Sequence, residues 1–214
     1  MIHSPFHVID DFISPKQCDE LIKGLALTVP DYAENGQPLK HERFVTTMYG
    51  TSLAHQFHEI IPELELRYSA KVSNPQFVFQ QYWENPKVPA EGVGCENSRF
   101  TRKKWVKHKD VDLVGFIWLK TFHNSVPLDP RIEVYGGKIE FPAYQFSLTP
   151  VQGTLVMFPA TPHFVTATSH IFLGSLEQIK ITAKLSTVGA TWQYVASNYP
   201  GTYQEWFFSE TART

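Results

Sequence analysis

The chain has 214 residues, of which 43% are hydrophobic and 19% charged, so it has room for one domain with a sizeable core and is not a disordered polymer. Its formal net charge of -2 gives no reason to expect a nucleic acid or an acidic membrane as partner. Two cysteines, Cys18 and Cys95, cannot build a disulfide framework and read as free thiols of a reducing compartment.

Phe6-His7-Val8-Ile9-Asp10-Asp11-Phe12 reads as a short strand. Ser14-Pro15 then looks like an N-cap with Pro at the first helical position, and Cys18, Leu21, Ile22 and Leu25 make a helical stripe over 15–27. Residues 28–50 read as loop with one strand at Phe44–Met48, and a second helix is expected from Ser52 to Glu65. From Gln76 the period changes to that of strands: Gln76–Trp83, Val111–Lys120, Lys138–Phe141, Thr154–Phe158, Phe164–Thr168 and Gln178–Ser186, punctuated by Gly and Pro. Residues 84–100 read as a long loop, of the kind that often forms a lid. The pattern predicts a mainly β fold with flanking helices: a jelly roll (double-stranded β-helix) with N-terminal helices packed on one sheet. We expect a single domain, with support elements in 1–70, a core in 76–188 and an aromatic extension in 189–214. No signal-like leader and no apolar run near the roughly 18 residues of a membrane span are present, so a soluble, cytoplasmic protein is expected.

His108 and Asp110 are two apart, and on a strand both side chains would project to one side. Imidazole plus carboxylate suits Fe(II) or Mn(II), and a third ligand would complete one octahedral face with three positions open. His163, after the Phe158-Pro159 strand end and a Pro-stiffened turn, is the candidate third ligand. A His-x-Asp alone is more often a surface feature. His170 is a rival third ligand, His55 and His58 with Glu59 lie on one helix face, and His3, His7, His41 and His123 have no obvious partner.

The order of motifs carries more than any one of them. Tyr82 on a strand is followed by His108-Lys109-Asp110, then Tyr135-Gly136-Gly137-Lys138-Ile139-Glu140-Phe141-Pro142, then Gly153-Thr154-Leu155-Val156-Met157-Phe158-Pro159, His163 and a basic residue on the last strand. With Val8-Ile9-Asp10-Asp11-Phe12-Ile13-Ser14 before a Cys-containing helix, this resembles the 2-oxoglutarate and Fe(II)-dependent dioxygenases, in their prolyl 4-hydroxylase-like branch, over residues 6–188. The resemblance implies Fe(II), 2-oxoglutarate as cosubstrate and O2, with release of succinate and CO2. It implies His108, Asp110 and His163 as catalytic metal ligands.

The far carboxylate of 2-oxoglutarate then needs a cation in a mostly buried pocket. Lys180 is that candidate, with Thr182 adding a hydroxyl; alternation puts both on one face with Lys184, the fallback anchor, and puts Ile179, Ile181 and Leu185 on the other. Lys180 follows His163 by seventeen positions, farther than in relatives, which predicts a lengthened hairpin over Ser169–Glu177 turning near Leu173-Gly174. Tyr82 is expected to donate to the cosubstrate. Trp118 is expected either to line the same pocket or to pack in the core.

Arg99, Arg102, Lys103, Lys104 and Lys107, interleaved with Trp105, would suit an anionic substrate or a nucleobase, though a charge run is usually a solvated face. Three readings follow: an oxygenase acting on a peptidyl or free amino acid (Pro or Lys), a nucleic-acid demethylase of the same superfamily, and a metal-binding jelly-roll protein without oxygenase turnover. The overall charge makes nucleic acid the less expected partner. The sequence does not reveal an oligomeric state.

Overall fold

The first helix of the chain is set by its entry. In the computed structural model, which describes residues 5–45, 47–68, 70–101 and 104–185, a first strand β1 (His7–Ile9) leads to Ser14, the cap of α1 (Pro15–Leu25). The Ser14 hydroxyl accepts from the Gln17 amide at 3.3 Å, and the Gln17 side-chain oxygen accepts from the Ser14 amide at 2.9 Å. This reciprocal pair satisfies two amide donors that a helix start otherwise leaves open. Cys18, Leu21 and Leu25 form the buried stripe.

Next come β2 (His41–Phe44) and α2 (Thr47–Tyr68), so the strand expected at Phe44–Met48 lies earlier and the helix is longer than Ser52–Glu65. The extra turns are held by tertiary contacts that periodicity does not mark. Tyr49 packs on the core, and the buried Tyr68 donates its hydroxyl to the Pro5 carbonyl at 2.8 Å.

The β-rich part follows: β3 (Val72–Asn85), β4 (Glu91–Gly94), β5 (Ser98–Thr101), β6 (Lys104–Lys107), β7 (Leu113–Trp118), β8 (Thr121–His123), β9 (Glu133–Gly136), β10 (Ile139–Phe141), β11 (Phe146–Leu148), β12 (Leu155–Pro159), β13 (Thr166–Thr168) and β14 (Ile171–Leu185). Residues 84–100 are therefore not one loop; β4 and β5, which begin inside it, are four residues each, too short to show a period. Among the described residues an eight-stranded sheet runs β1-β12-β7-β14-β3-β2, with β9 on β14 and β8 on β9. A four-stranded sheet runs β11-β10-β13-β4, and β5 and β6 form a hairpin. Every strand pairing is antiparallel except β8 with β9.

Two cores separate the layers. One lies between the helices and the large sheet, with Leu21, Phe57, Phe79, Ile117, Met157, Ile179 and Ile181. The other lies between the sheets, with Phe116, Trp118, Phe141, Phe158 and Phe164. This is the jelly roll with helices on one sheet that the pattern predicts. Gly136-Gly137 carries the chain from one sheet to the other. Gly136 has φ +107°, and a Cβ there would sit 2.1 Å from the His170 carbonyl oxygen, so only glycine fits the crossing.

The hairpin expected to turn near Leu173-Gly174 does not exist. β13 ends at Thr168, the chain runs on through Ser169-His170 still bonded to Gly137 and Lys138, and β14 continues to Leu185 with a register shift between Ile171 and Ser175 around Gly174 (φ +87°). Gly174 makes a bulge rather than a turn. Among the described residues no helix is long and apolar enough to cross a membrane. The aromatic extension 189–214 lies outside the described residues.

Candidate functional site

β14 is the wall on which the site is built. Ile179, Ile181, Ala183 and Leu185 belong to the helix-side core, so Gln178, Lys180 and Thr182 point between the sheets. The ladder fixes their neighbours. Lys180 lies between Val78 of β3 and Phe116 of β7, Thr182 between Gln76 and Val114, and Gln178 between Gln80 and Trp118.

A cavity of about 120 Å³ opens there, lined chiefly by Glu91, Cys95, Glu96, Phe116, Phe164 and Lys180. The Lys180 ammonium is 3.2 Å from one oxygen of Glu96, and these side chains are only 15% and 19% exposed. The other Glu96 oxygen takes the Lys109 ammonium at 2.7 Å. Burial pushes the Glu96 carboxyl up, but the charge of Lys180 and the Lys109 hydrogen bond outweigh it and hold the group below its ordinary range.

Tyr82 is buried, and its hydroxyl donates to Glu91 at 3.1 Å. Glu91 also takes Lys40 at 2.9 Å, and that ammonium lies 5.1 Å from the centre of the Tyr82 ring. Burial, then the Glu91 charge, pushes the phenol up, so it stays a proton donor. Trp118 is fully buried in the core between the sheets and is not among the residues lining the cavity. Thr182 is buried two positions along from Lys180 and likewise outside that lining. Lys184 is at the open end of β14 and hydrogen-bonds Asp110.

The proposed ligands stand differently from the geometry expected of them. His108, Lys109 and Asp110 follow β6 in irregular backbone, with the His108 and Lys109 amides both donating to the Asn97 carbonyl, at 2.9 and 3.2 Å. Strand alternation therefore does not align His108 with Asp110. His108 is exposed, and Asp110, 59% exposed, is held by Lys184 and lies 3.7 Å from Lys107. The hydrogen bond from Lys184, with the charges of Lys184 and Lys107, keeps the Asp110 carboxyl low. His163 sits half-buried in a 3-10 turn, Pro162–Phe164, where desolvation lowers its pKa. Among the described residues no three His, Cys, Asp or Glu side chains gather to hold a metal ion. His108, Asp110 and His163 are not drawn together as a three-ligand face here, and Lys184 and Lys107 lie against the Asp110 carboxylate.

The other histidines have local roles. His55 pairs with Glu59 at 3.6 Å, His170 stacks on Phe172, and His123 bonds Ser125. Of the basic run, Lys107 faces Asp110 and the buried Asp112 at 3.6 Å, while Arg102 and Lys103 lie outside the described residues. Trp105 packs edge-on against Phe100. The acids that matter here, Glu91 and Glu96, were not singled out by sequence, since both fall in the stretch read as loop.

No family profile matches the chain, and no curated protein matches it in sequence. Solved structures do match. A viral collagen prolyl hydroxylase from Paramecium bursaria Chlorella virus-1, solved with 2-oxoglutarate, is 14% identical with a TM-score of 0.62, over 84% of this chain and 95% of that one. A prolyl-4-hydroxylase from Pseudomonas putida is 11% identical with a TM-score of 0.54, over 84% and 92%. A prolyl hydroxylase from Trichoplax adhaerens, solved with a hypoxia inducible factor peptide fragment, is 8% identical with a TM-score of 0.57, over 87% and 86%. The fold is that of the prolyl hydroxylases.

Proposed function

We propose that the chain, built on the prolyl hydroxylase fold, is an Fe(II)- and 2-oxoglutarate-dependent oxygenase. In this reading it hydroxylates an amino-acid side chain, peptidyl or free, with Pro or Lys as target and succinate and CO2 released. The observation that carries this reading is Lys180: a nearly buried ammonium on the inner face of β14, at a small cavity between the sheets. A largely buried cation is costly unless an anion meets it; Glu96 meets it here, and the far carboxylate of a dicarboxylate would fill the same role. The metal and cosubstrate together would supply oxygen activation, chemistry that no side chain here provides.

The residues of the chain bind and shield. Lys180 takes the far carboxylate, while Phe116 and Phe164 line the cavity and exclude water. Tyr82 keeps Glu91 in place by its hydroxyl. The whole chain would serve as one domain with its core in 76–188. A cytoplasmic setting goes with the two free thiols, Cys18 and Cys95.

A second reading, a jelly-roll binding protein without oxygenase turnover, is favoured by the placement of Asp110 under Lys184 and Lys107. A nucleic-acid demethylase has less support, because Lys107 and Lys109 are already neutralised by acids of the same chain. The test is a screen of 2-oxoglutarate turnover against peptides, free amino acids and methylated oligonucleotides, read as succinate release with oxygen uptake. Turnover on a peptide or amino acid supports the oxygenase. Binding of 2-oxoglutarate without turnover at any Fe(II) concentration supports the second reading. If His108→Ala, Asp110→Ala and His163→Ala all bind Fe(II) as the native chain does, the ligand assignment is wrong.

A further inference from the structure

The cavity already contains a carboxylate. Glu96 lies in the connection between β4 and β5, off the rigid ladder, and reaches Lys180 at 3.2 Å. The geometry points to Glu96 as a built-in competitor that holds Lys180 when the pocket is empty and hands it to an incoming carboxylate. This rests on the reading of Lys180 as cosubstrate anchor and adds how that subsite selects and admits its ligand.

Two features make the exchange feasible. Glu96 has a second cation, Lys109 at 2.7 Å, so leaving Lys180 does not strand it as an unpaired charge. Lys180 in turn must keep a counter-ion, because it is largely buried. A ligand carboxylate restores the charge balance that Glu96 gives up, whereas a neutral ligand would leave the ammonium with only the more distant Glu42 charge. The subsite therefore selects for a carboxylate by exchange, not by an open cation. Occupancy is also felt beyond the cavity. Lys109, between the proposed ligands His108 and Asp110, becomes the sole ionic partner of Glu96 once the ligand arrives.

The test is calorimetric titration of the full-length, metal-free protein with 2-oxoglutarate and with its distal amide, 2-oxoglutaramate. Glu96→Gln keeps the shape and removes the competing charge, and should bind 2-oxoglutarate about tenfold more tightly than the native chain. It should show no gain for the amide. Glu96→Asp keeps the charge but shortens its reach and should fall between; it carries the test if the Gln variant does not fold. Equal or weaker binding by the variants, with the native chain binding, overturns the competition while leaving the anchor reading intact. An equal gain for the amide also overturns it, since extra room rather than charge would then be the cause. Absence of 2-oxoglutarate binding in the folded native chain and variants, both metal-free and with Mn(II) added, overturns the anchor reading and the competition with it.

Discussion

Two lysine–glutamate pairs adjoin β14, and they differ in what else each partner touches. Lys120 and Glu177 meet at 2.8 Å with 6% and 2% exposure, beside a cavity of about 870 Å³ that α1 borders through Asp19, Ile22 and Lys23. The Lys120 ammonium also reaches the Ser175 carbonyl and hydroxyl, both at 3.2 Å. Glu177 accepts from the Ser175 hydroxyl at 2.6 Å and from the Gln81 amide at 3.0 Å. The bonds of this cluster are made within the sheet or at its edge; Asp129 acts on Lys120 from farther off, and among the described residues neither ion has a second opposite charge within 4 Å. Lys180 and Glu96 are more exposed, and Glu96 has Lys109 in reserve. The difference teaches that the surplus of partners, rather than the distance between the ions, decides which pair can open.

The largest effect should come from breaking the closed pair. Glu177→Ala leaves Lys120 buried without its counter-ion and should cost about 3–5 kcal/mol, lowering the melting temperature by roughly 10 °C. Melting at the native temperature would erase the contrast between the two pairs. Next, Lys180→Ala should weaken 2-oxoglutarate binding about 10- to 100-fold, while Lys184→Ala changes it less than about threefold. Titration of both variants checks this, and the reverse order moves the anchor to Lys184. Ser14→Ala removes the cap of the helix bordering the closed pair and should cost about 1 kcal/mol in a denaturant melt. Its affinity for 2-oxoglutarate should be unchanged, because α1 does not reach the open pair.

The smallest effect is one of pH. The Glu96 carboxyl is lower in the folded chain than its ordinary value of 4.5. The unfolded chain therefore binds the proton first as pH falls, and the stability from this group is present above that value and lost below it. Between pH 5 and pH 3, Glu96→Gln should lose less stability than the native chain, by under about 1 kcal/mol. Parallel melting curves would show that the open pair adds nothing to folding.

Some of this was legible in the sequence. Ser14-Pro15 and the Cys18, Leu21, Leu25 stripe mark α1 because cap and period are local signals. Gln178 to Leu185 shows its two faces because a buried strand between two unlike layers must alternate. The segment at His108 misled for a physical reason. A His-x-Asp spacing says which way side chains point only if the backbone is extended, and β6 ends at Lys107. Glu96 was out of reach altogether, since its partners are 13 and 84 residues away and no local pattern joins them. The two bounds of α2 were missed likewise, because Tyr49 and Tyr68 are fixed by packing and by a bond to Pro5.

The bulge at Gly174 has a consequence for how this chain tolerates changes in length. Ahead of it, between Ile171 and Ser175, β14 is already out of step with β3, so an inserted residue can be taken up in the slack. Beyond it the pairing is continuous from Ser175 to Thr182. A residue inserted there would shift the frame by one and turn Lys180 toward the helices, with an isoleucine facing the cavity in its place. Gly174 thus divides β14 into a length that can drift and a length that cannot.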